Sequence, residues 1–359
     1  MVAMWLSRAL TFLVISCPCA LVISVPLSFF GGIGGASRIG VLIKGSQDLE
    51  KLAAVDTVVF DKTGTLTEGS FKVTAVHSVQ IGESELLALA AAVERCSNHP
   101  IAKAICAASR GDLTATDVVE VAGRGVRATV SGESVSVGNA TMMAEMGLTV
   151  EPPVDGKTAI FVARCGTYLG CIVISDTVKS GAADAVSELR RCGVKRTVML
   201  TGDRAAAADA VARAVGVDAV RADLLPADKV QEVERLLEDG QAGTLAFVGD
   251  GINDAPVLAR ADLGIAMGAL GSDVAIEAAD IVLMDDDPRK IARAMRHARR
   301  TLRIVRQNIV FALGVKAAVL LCSAFGLLGA WQMPLAIFAD VGVAVIAILN
   351  AMRTLRGKA

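Results

Sequence analysis

The sequence lacks an excess of charge of either sign. Its 359 residues contain 36 lysines and arginines against 37 aspartates and glutamates, a formal net charge of -1 at pH 7. Proteins that bind nucleic acid carry a basic excess or patch, so this balance gives no electrostatic support for a nucleic-acid partner, and we expect none. The 8 cysteines are scattered and include one close pair. That pattern excludes a small secreted domain held by disulfides and favours a reducing, cytosol-facing protein.

Charge is also missing from two long stretches. The chain is 53% hydrophobic and 20% charged, with a mean hydropathy of +0.54, whereas soluble domains contain about 25% charged residues. Residues 9–37 carry no charge, and residues 307–352 carry only Lys316 and Asp340. Since a helix needs about 20 residues to cross a bilayer, the first stretch predicts one span and the second predicts two. The lipid bilayer is therefore an expected partner.

The limits of the spans follow from the apolar runs. The first span is expected from Met4 to about Phe29, and the other two at about Asn308–Leu328 and Pro334–Asn350. A signal peptide is the alternative for the first stretch, but the apolar run is long and has no cleavage-site pattern.

Basic residues predict the orientation of the spans. They precede the second span and follow the third, and they are Arg289, Lys290, Arg293, Arg296, Arg299, Arg300, Arg303, Arg306, Arg353, Arg356 and Lys358. Because basic flanks stay on the cytosolic side, the region from about Ile39 to Arg306 is expected in the cytosol. The alternative is that the arginine run is merely a solvated helix face, which leaves the topology unchanged.

Short β-branched runs alternate with helical patterns in this region, which predicts an α/β fold with parallel strands. The candidate strands are Thr57–Phe60, Thr197–Leu200, Leu245–Val248, Leu263–Ala266 and Ile281–Met284. Three of them end in loops that carry Asp or Gly, where open parallel sheets bind ligands. Between about Lys72 and Leu169 the pattern changes to an alanine-rich helical stretch followed by valine-rich alternation, which indicates an inserted α+β domain.

One of these loops carries a specific motif, Asp61-Lys62-Thr63-Gly64-Thr65-Leu66-Thr67. It resembles the phosphorylation motif of P-type ATPases, which implies an α/β phosphorylation domain with a haloacid-dehalogenase-like parallel sheet. A carboxylate at a strand end can attack a phosphoryl group in line when metal and cations neutralise the approaching oxygens. Asp61 is therefore the expected nucleophile, beside Lys62 and Thr63. The alternative is an Asp that only caps the next turn.

Two further motifs follow in the family's order. Thr201-Gly202-Asp203 resembles the segment that holds the phosphoryl oxygens, and Lys229 resembles the lysine that neutralises phosphate charge. Both resemblances assign these residues to the same catalytic centre as Asp61.

The segment Gly249–Pro256 resembles the family's hinge motif, and it contains Asp250, Asn253 and Asp254. Mg²⁺ prefers oxygen ligands and bridges carboxylate to phosphate. The resemblance therefore implies that Asp61, the carbonyl of Thr63 and Asp250 hold Mg²⁺.

The residue two positions after Asp61 distinguishes between two reactions that this architecture can catalyse. Phosphatases that resemble it carry a second Asp there as general acid, whereas this chain has Thr63. Without a base for water the aspartyl phosphate should be long-lived, which suits an ATPase that couples phosphorylation to movement. A membrane-anchored phosphatase remains the alternative.

The inserted region resembles the nucleotide-binding domain of the heavy-metal branch. The matching residues are Glu94, His99, Gly123, Gly125 and Asn139. The resemblance implies that ATP binds here, with glycines that let backbone approach the nucleotide and with His or Glu against the adenine. Asn98 departs from the family, which usually has Glu before the His-Pro pair. Taken singly, the histidine could start a helix and the glycines could form a turn.

The first span carries Cys17-Pro18-Cys19. Pro18 cannot donate a helical hydrogen bond, so the helix should open and expose carbonyl groups beside two thiols. Thiolates prefer soft or borderline ions, which excludes Na⁺, K⁺, Ca²⁺ and Mg²⁺ as cargo. This motif ahead of the phosphorylation motif is the signature of heavy-metal P-type ATPases. The alternative is that the cysteines are small packing residues.

Lys316 and Asp340 are functional candidates because an ionisable residue in the bilayer costs about 2.5–3.5 kcal/mol on insertion scales. They resemble residues of the zinc/cadmium subgroup. The copper subgroup instead has a tyrosine in these spans, and the only tyrosine here is Tyr168, in the insert. A carboxylate beside two thiolates favours a divalent ion, and Lys316 is expected to pair with Asp340 when the site is empty. A purely structural Lys–Asp pair is the alternative.

The resemblance implies ATP-driven export of Zn²⁺, Cd²⁺ or Pb²⁺ through an aspartyl phosphate, in the plasma or inner membrane. A non-transporting metal or redox sensor is a further alternative. Family members have an actuator domain and more spans before the Cys-Pro-Cys span, so the chain is expected to be a carboxyl-terminal portion that partners an amino-terminal half. The expected divisions are a span (1–37), a stalk and the start of the phosphorylation domain (38–71), the nucleotide-binding domain (72–169), the rest of the phosphorylation domain (170–300), two spans (301–352) and a cytosolic tail (353–359).

Overall fold

The computed structural model of the chain describes residues 9, 12, 17–97, 99–151, 158–239, 243–250, 254–268 and 273–356. The chain forms two compact units. The first unit comprises Met1–Val59, Asp184–Thr197 and Val230–Ala359, and the second comprises Phe60–Ala183 and Val198–Lys229.

Within the described residues the strands, in chain order, are β1 (Val41–Ile43), β2 (Val55–Asp61), β3 (Thr67–Ser78), β4 (Ala115–Val121), β5 (Gly125–Val130), β6 (Glu133–Gly138), β7 (Thr158–Arg164), β8 (Thr167–Val178), β9 (Arg196–Leu200), β10 (Ala219–Arg221), β11 (Thr244–Gly249), β12 (Leu263–Met267) and β13 (Ile281–Leu283). The helices are α1 (Cys19–Arg38), α2 (Ser46–Ala54), α3 (Glu83–Glu94), α4 (Pro100–Ala108), α5 (Ala140–Glu145), α6 (Ala182–Arg191), α7 (Ala205–Val215), α8 (Pro226–Glu238), α9 (Ala255–Arg260), α10 (Asp273–Ala278), α11 (Arg289–Ala324) and α12 (Gln332–Leu355).

A mostly parallel sheet forms the cytosolic part of the first unit. Its strands lie in the order β1, β13, β12, β11 and β2. β11, β12 and β13 run parallel, with Ala246 opposite Leu263 and Ile265 opposite Ile281, whereas β1 is antiparallel to β13. These strands are almost wholly buried, as expected for parallel strands covered on both faces.

All five strands predicted from the sequence are present, as β2, β9, β11, β12 and β13. Their apolar runs are local signals, so no knowledge of distant contacts was needed to find them. The predicted α/β fold is therefore confirmed.

The first unit also contains three helices, α1, α11 and α12, that are long and apolar enough to cross a membrane. Helix α1 begins after Pro18 and continues to Arg38, beyond the predicted end at Phe29, because Gly31, Gly32, Gly35 and Ala36 are buried and no charged residue precedes Arg38. The predicted start near Met4 falls mostly outside the described residues.

The arginine run and the predicted second span form one continuous helix, α11. Ala294, Ala298 and Thr301 are buried on one face of its cytosolic half. On other faces, Arg299 donates to the Ala53 carbonyl at 2.8 Å and Arg296 lies 3.1 Å from Glu188. The run is therefore the charged side of a packed helix rather than a merely solvated face.

Helix α12 contains a wider turn over Phe338–Gly342, flanked by regular helix on both sides. Such a turn inserts an extra residue and is frequent at functional sites. Asp340 lies at its centre, so the local widening determines which way this carboxylate faces.

The second unit contains a six-stranded antiparallel sheet in the order β3, β8, β7, β6, β5 and β4. Ile160 and Val162 of β7 pack on the core that contains α3, whereas Phe161 and Ala163 pack on the other face with Met143 of α5. This alternation is the two-residue period of a strand. The predicted limits of the insert, 72 and 169, fall inside the paired strands β3 and β8, and the domain limits remain a prediction.

The second unit also includes the end of β2, followed in order by β9 and β10. β9 and β10 are parallel, with Val198 opposite Ala219 and Leu200 opposite Arg221. The carboxyl ends of these strands carry the residues discussed next.

Candidate functional site

Asp61 is the last residue of β2 and is 5% exposed. Lys229, in the first turn of α8, places its Nζ atom 2.6 Å from Asp61 Oδ1. The backbone then turns sharply at Gly64, whose φ is +73° and favours glycine. A buried carboxylate with a cation beside it can act as a nucleophile toward an anionic phosphoryl group, because the lysine offsets the approaching charge.

Lys62 is buried and lies between two carboxylates. Its Nζ atom is 2.8 Å from Asp203 and 3.6 Å from Asp176. Thr63, by contrast, is exposed to solvent. Lys62 therefore links the phosphorylation motif to the Thr201-Gly202-Asp203 loop.

Thr201 follows β9 directly, and its Oγ1 accepts a hydrogen bond from the Asp203 backbone at 3.1 Å. Its own N–H donates to the Arg221 carbonyl at 3.0 Å, which anchors the loop to β10. Gly202 between them is exposed. The loop is thus held at both ends with its middle open to a ligand.

Sequence reasoning missed Asp176 and Lys179. Asp176 lies within hydrogen-bond distance of Thr67 Oγ1 as well as near Lys62, and Lys179 Nζ donates to the Gly64 carbonyl. These contacts fix the turn that follows Asp61. The available signal was an Asp near the end of an apolar strand with a Lys three positions later, which is far less specific than the motif that identified Asp61.

Asp250 and Asp254 belong to the first unit. Asp250 directly follows β11, and Asp254, which is 2% exposed, precedes α9. Asn253 lies outside the described residues. The assignment of Asp250 to a Mg²⁺ site remains a prediction.

All the residues predicted for the nucleotide site line one cavity of about 310 Å³ in the second unit. The lining includes Glu94, His99, Gly123, Gly125 and Asn139. A larger cavity of about 720 Å³ is lined by Lys62, Thr63, Gly202 and Asp203. Asn139, Thr158 and Ala159 line both cavities. The two spaces are within the size range of ligand pockets and share part of their walls.

His99 and Asn139 each begin a helix. His99 Nδ1 accepts from the Ile101 N–H at 3.2 Å, and Asn139 Oδ1 accepts from the Met142 N–H at 3.0 Å. Asn139 also donates to the Gly123 carbonyl at 2.9 Å. Asn139 thus positions the glycine loop, while capping leaves the other nitrogen and the ring faces of His99 available to the cavity.

The structure shows a physical reason for glycine at Gly125 that the sequence did not predict. Its φ is +152°, and a Cβ atom there would lie 2.2 Å from the Val137 carbonyl oxygen and 2.5 Å from Gly138 Cα. At Gly123, with φ of +70°, a Cβ atom would meet nothing within 4 Å. Gly125 therefore permits the close approach of β5 to β6, and its contact with a nucleotide remains a prediction.

Burial and the nearby Glu120 carboxylate raise the pKa of Glu94 to about 7. The Glu94 carboxyl group therefore binds its proton more tightly in the folded state than in the unfolded state. The loss of folding stability caused by ionisation of Glu94 is complete above pH 7, and it disappears as the pH falls below about 4.5, the ordinary pKa of glutamate. We expect Glu94→Gln to raise the free energy of local unfolding of α3 by about 2 kcal/mol at pH 8 and to have little effect at pH 4. Slower hydrogen exchange of the α3 amides measures this gain.

Glu120→Gln is the matched control, because it removes only the secondary cause and should give a smaller gain at pH 8. An equal effect of Glu94→Gln at both pH values would contradict this account.

In the membrane helices of the first unit, the ligand atoms of Cys17, Cys19 and Asp340 lie within 4.8 Å of one another. Lys316 Nζ is 3.0 Å from Asp340 Oδ1 and also donates to the Cys17 carbonyl. Helix α1 begins after Pro18, and the Leu21 N–H donates to the Pro18 carbonyl at 2.9 Å rather than to the Cys17 carbonyl. Residues from all three helices thus meet at one point.

Cys17 and Cys19 are joined by a disulfide in this structure, whereas the sequence predicts two free thiols. The reason is their proximity: the turn at Pro18 brings the two Cα atoms to 5.5 Å, within the normal range for a disulfide. A cysteine ligates a metal ion as its thiolate, so metal binding by Cys17 and Cys19 requires this bond to be reduced.

A second polar link between the membrane helices was not predicted. Asn308 of α11, 2% exposed, donates to the Ala347 carbonyl at 3.0 Å and accepts from Asn350 at 2.9 Å. Arg353 donates in turn to Asn350 at 2.8 Å. Interhelical amides of this kind stabilise membrane bundles, and this one helps hold α11 and α12 together.

Comparisons with known proteins agree with these features. A family model of haloacid dehalogenase-like hydrolases matches residues 55–262. The chain is 53% identical to a zinc-transporting ATPase of Synechocystis sp. over 97% of this chain and 48% of that protein. It is 51% identical to a cadmium, zinc and cobalt-transporting ATPase of Bacillus subtilis over 99% of this chain and 51% of that protein. The chain thus spans about half the length of the curated relatives it matches.

A crystal structure of a zinc-transporting PIB-type ATPase in the E2.Pi state superposes with a TM-score of 0.87 at 43% identity, covering 99% of this chain and 58% of that chain. Fold, sequence and motif order therefore lead to one conclusion. The chain belongs to the haloacid dehalogenase-like hydrolase family and, within it, to the heavy-metal-transporting P-type ATPases.

Proposed function

We propose that the protein exports Zn²⁺, Cd²⁺ or Pb²⁺ from the cytosol, driven by ATP through phosphorylation of Asp61. The observation that carries the proposal is the cluster of Cys17, Cys19 and Asp340, whose ligand atoms lie within 4.8 Å of one another. Two sulfurs and one carboxylate fit a borderline divalent ion, and the similarity to zinc- and cadmium-transporting ATPases supports that cargo.

Lys316 acts as the counter-ion of the empty site. Its ammonium group lies against Asp340 and the Cys17 carbonyl, so it neutralises a carboxylate that would otherwise be unpaired in the bilayer. An arriving divalent ion replaces the positive charge of Lys316 at Asp340, and its departure lets the pair form again.

The phosphorylation step uses residues of the second unit. A carboxylate oxygen of Asp61 forms a bond to the γ-phosphorus of ATP, the bond from that phosphorus to the β,γ-bridging oxygen breaks, and ADP leaves with the electron pair. Lys229, 2.6 Å from Asp61, offsets charge on the transferred group. Asp61 and the Thr63 carbonyl offer oxygen donors of the kind that Mg²⁺ prefers, and the ion would supply further charge neutralisation when bound.

The proposed adenine site is tested at His99. We expect His99→Asn and His99→Gln to weaken ATP binding by the full chain about tenfold, since stacking of a base on a ring contributes about 1–3 kcal/mol. Asparagine is a good helix cap and glutamine is not, so only His99→Gln should also destabilise α4. Calorimetric titration with ATP in detergent measures the affinity.

His77→Asn is the matched control, because His77 is exposed on β3 and does not line the cavity. Unchanged ATP affinity in both His99 variants would refute this pocket. Gly125→Val is unsuitable as a test of nucleotide contact, because its side chain would collide with Val137 and Gly138.

A further inference from the structure

Arg204 follows the Thr201-Gly202-Asp203 loop and directly precedes α7. Its backbone is extended, with φ of -64° and ψ of 147°, and its carbonyl accepts the Ala207 and Ala208 N–H groups at 3.0 and 3.1 Å. These hydrogen bonds fix the position of the Arg204 backbone. Arg204 is exposed and lines the larger cavity with Lys62, Gly202 and Asp203.

The guanidinium of Arg204 differs from the other cations near the phosphorylation motif. Lys62 is held by Asp203 and Asp176, and Lys229 is held by Asp61. Arg204 forms no ion pair with any residue that the structure describes. A cation that faces a cavity without an acidic partner is available to an anion that enters it.

An independent feature shows that this cavity is suited to a polar ligand. Asp176 lines it, its side chain is 7% exposed, and its Oδ1 atom has no hydrogen-bond partner among the described residues. A buried acceptor of this kind is costly unless a ligand donates to it, as a ribose hydroxyl would.

We infer that Arg204 binds the non-transferred phosphates of the nucleotide, the diphosphate that leaves as part of ADP. The inference rests on the proposed function. The adenine base is assigned to the smaller cavity, and Asp61, the phosphoryl acceptor, directly precedes Lys62 and Thr63, which line the larger cavity. Arg204 lines only the larger cavity, whose wall at Asn139 and Thr158 is shared with the base site. The planar guanidinium can form paired hydrogen bonds to phosphate oxygens.

The experiment compares ATP, ADP and AMP binding to the full chain in detergent, by calorimetry at constant ionic strength. Arg204→Gln should weaken ATP and ADP binding about tenfold, in line with a charge-assisted hydrogen bond, and change AMP binding less than about twofold. Arg204→Lys should recover part of the lost affinity, because lysine retains the positive charge but cannot form the paired hydrogen bonds of a guanidinium. Arg213→Gln, at an exposed arginine near the other end of α7, is the matched control and should change none of the three affinities.

Two results would overturn the inference while leaving the nucleotide site intact. One is ATP and ADP affinity in Arg204→Gln within about twofold of the wild type. The other is an equal loss for AMP, which would indicate a change of fold or of general charge. A wild-type chain that binds no nucleotide would refute the proposed function itself, and the inference with it.

Discussion

Asp61→Asn will abolish phosphorylation of the complete transporter by ATP. The amide lacks the anionic oxygen that attacks phosphorus, and the substitution also removes the negative charge that Lys229 contacts at 2.6 Å. In the wild type we expect an acyl phosphate that is stable in acid and released by hydroxylamine, because Thr63 provides no base to hydrolyse it. Labelling with radioactive ATP and acid gel electrophoresis measure the product.

Asp209→Asn is the matched control, since Asp209 is exposed on α7 and makes the same change of charge. It should label like the wild type. Label that persists in Asp61→Asn would mean that another residue is the nucleophile. Rapid loss of label together with turnover of simple phosphate esters would instead support a phosphatase.

Asp340→Ala will remove Zn²⁺- and Cd²⁺-stimulated ATP hydrolysis by the complete transporter while nucleotide binding is retained. The substitution deletes the only carboxylate of the three-ligand cluster and leaves two sulfurs, which suit a monovalent soft ion better than a divalent one. Cys17→Ala should have the same effect. Both measurements require a reducing agent, because the disulfide between Cys17 and Cys19 withholds both thiolates.

Removing Asp340 also leaves Lys316 buried without its carboxylate, and breaking a buried pair destabilises by about 3–5 kcal/mol. Asp340→Asn keeps the side-chain volume, and the double substitution Asp340→Ala with Lys316→Ala removes both charges. If folding is the cause of the loss, the double variant should recover Zn²⁺ stimulation; if ligation is the cause, it should not.

Cys322→Ala is the control for the cysteine variants, since Cys322 is a free cysteine in α11 outside the cluster. It should retain full Zn²⁺ stimulation. Stimulation of the wild type by Cu⁺ but not by Zn²⁺, or full Zn²⁺ stimulation in Asp340→Ala, would show that the cargo assignment is wrong even if the phosphorylation of Asp61 stands.

Only the tertiary structure decided several features of the site. It placed Lys316, already expected to pair with Asp340, against the Cys17 carbonyl as well, and it paired Asn308 with Asn350. It also showed that Asn139 caps a helix and holds the Gly123 loop. Each feature depends on contacts between residues far apart in the chain or on an irregular turn, such as the one at Asp340, which no local pattern marks.

The sequence by itself determined the class of the protein. Uninterrupted apolar runs specify membrane helices and buried strands because their signal lies within one element, and the Asp61 motif specifies phosphorylation chemistry because its residues are consecutive. The residues of the proposed cargo site were also visible, since Cys17 and Cys19 flank a proline and Lys316 and Asp340 are the only charges in residues 307–352. The structure alone decided why Gly125 must be glycine: the physical reason is the backbone of β6, which lies next to β5 only after folding.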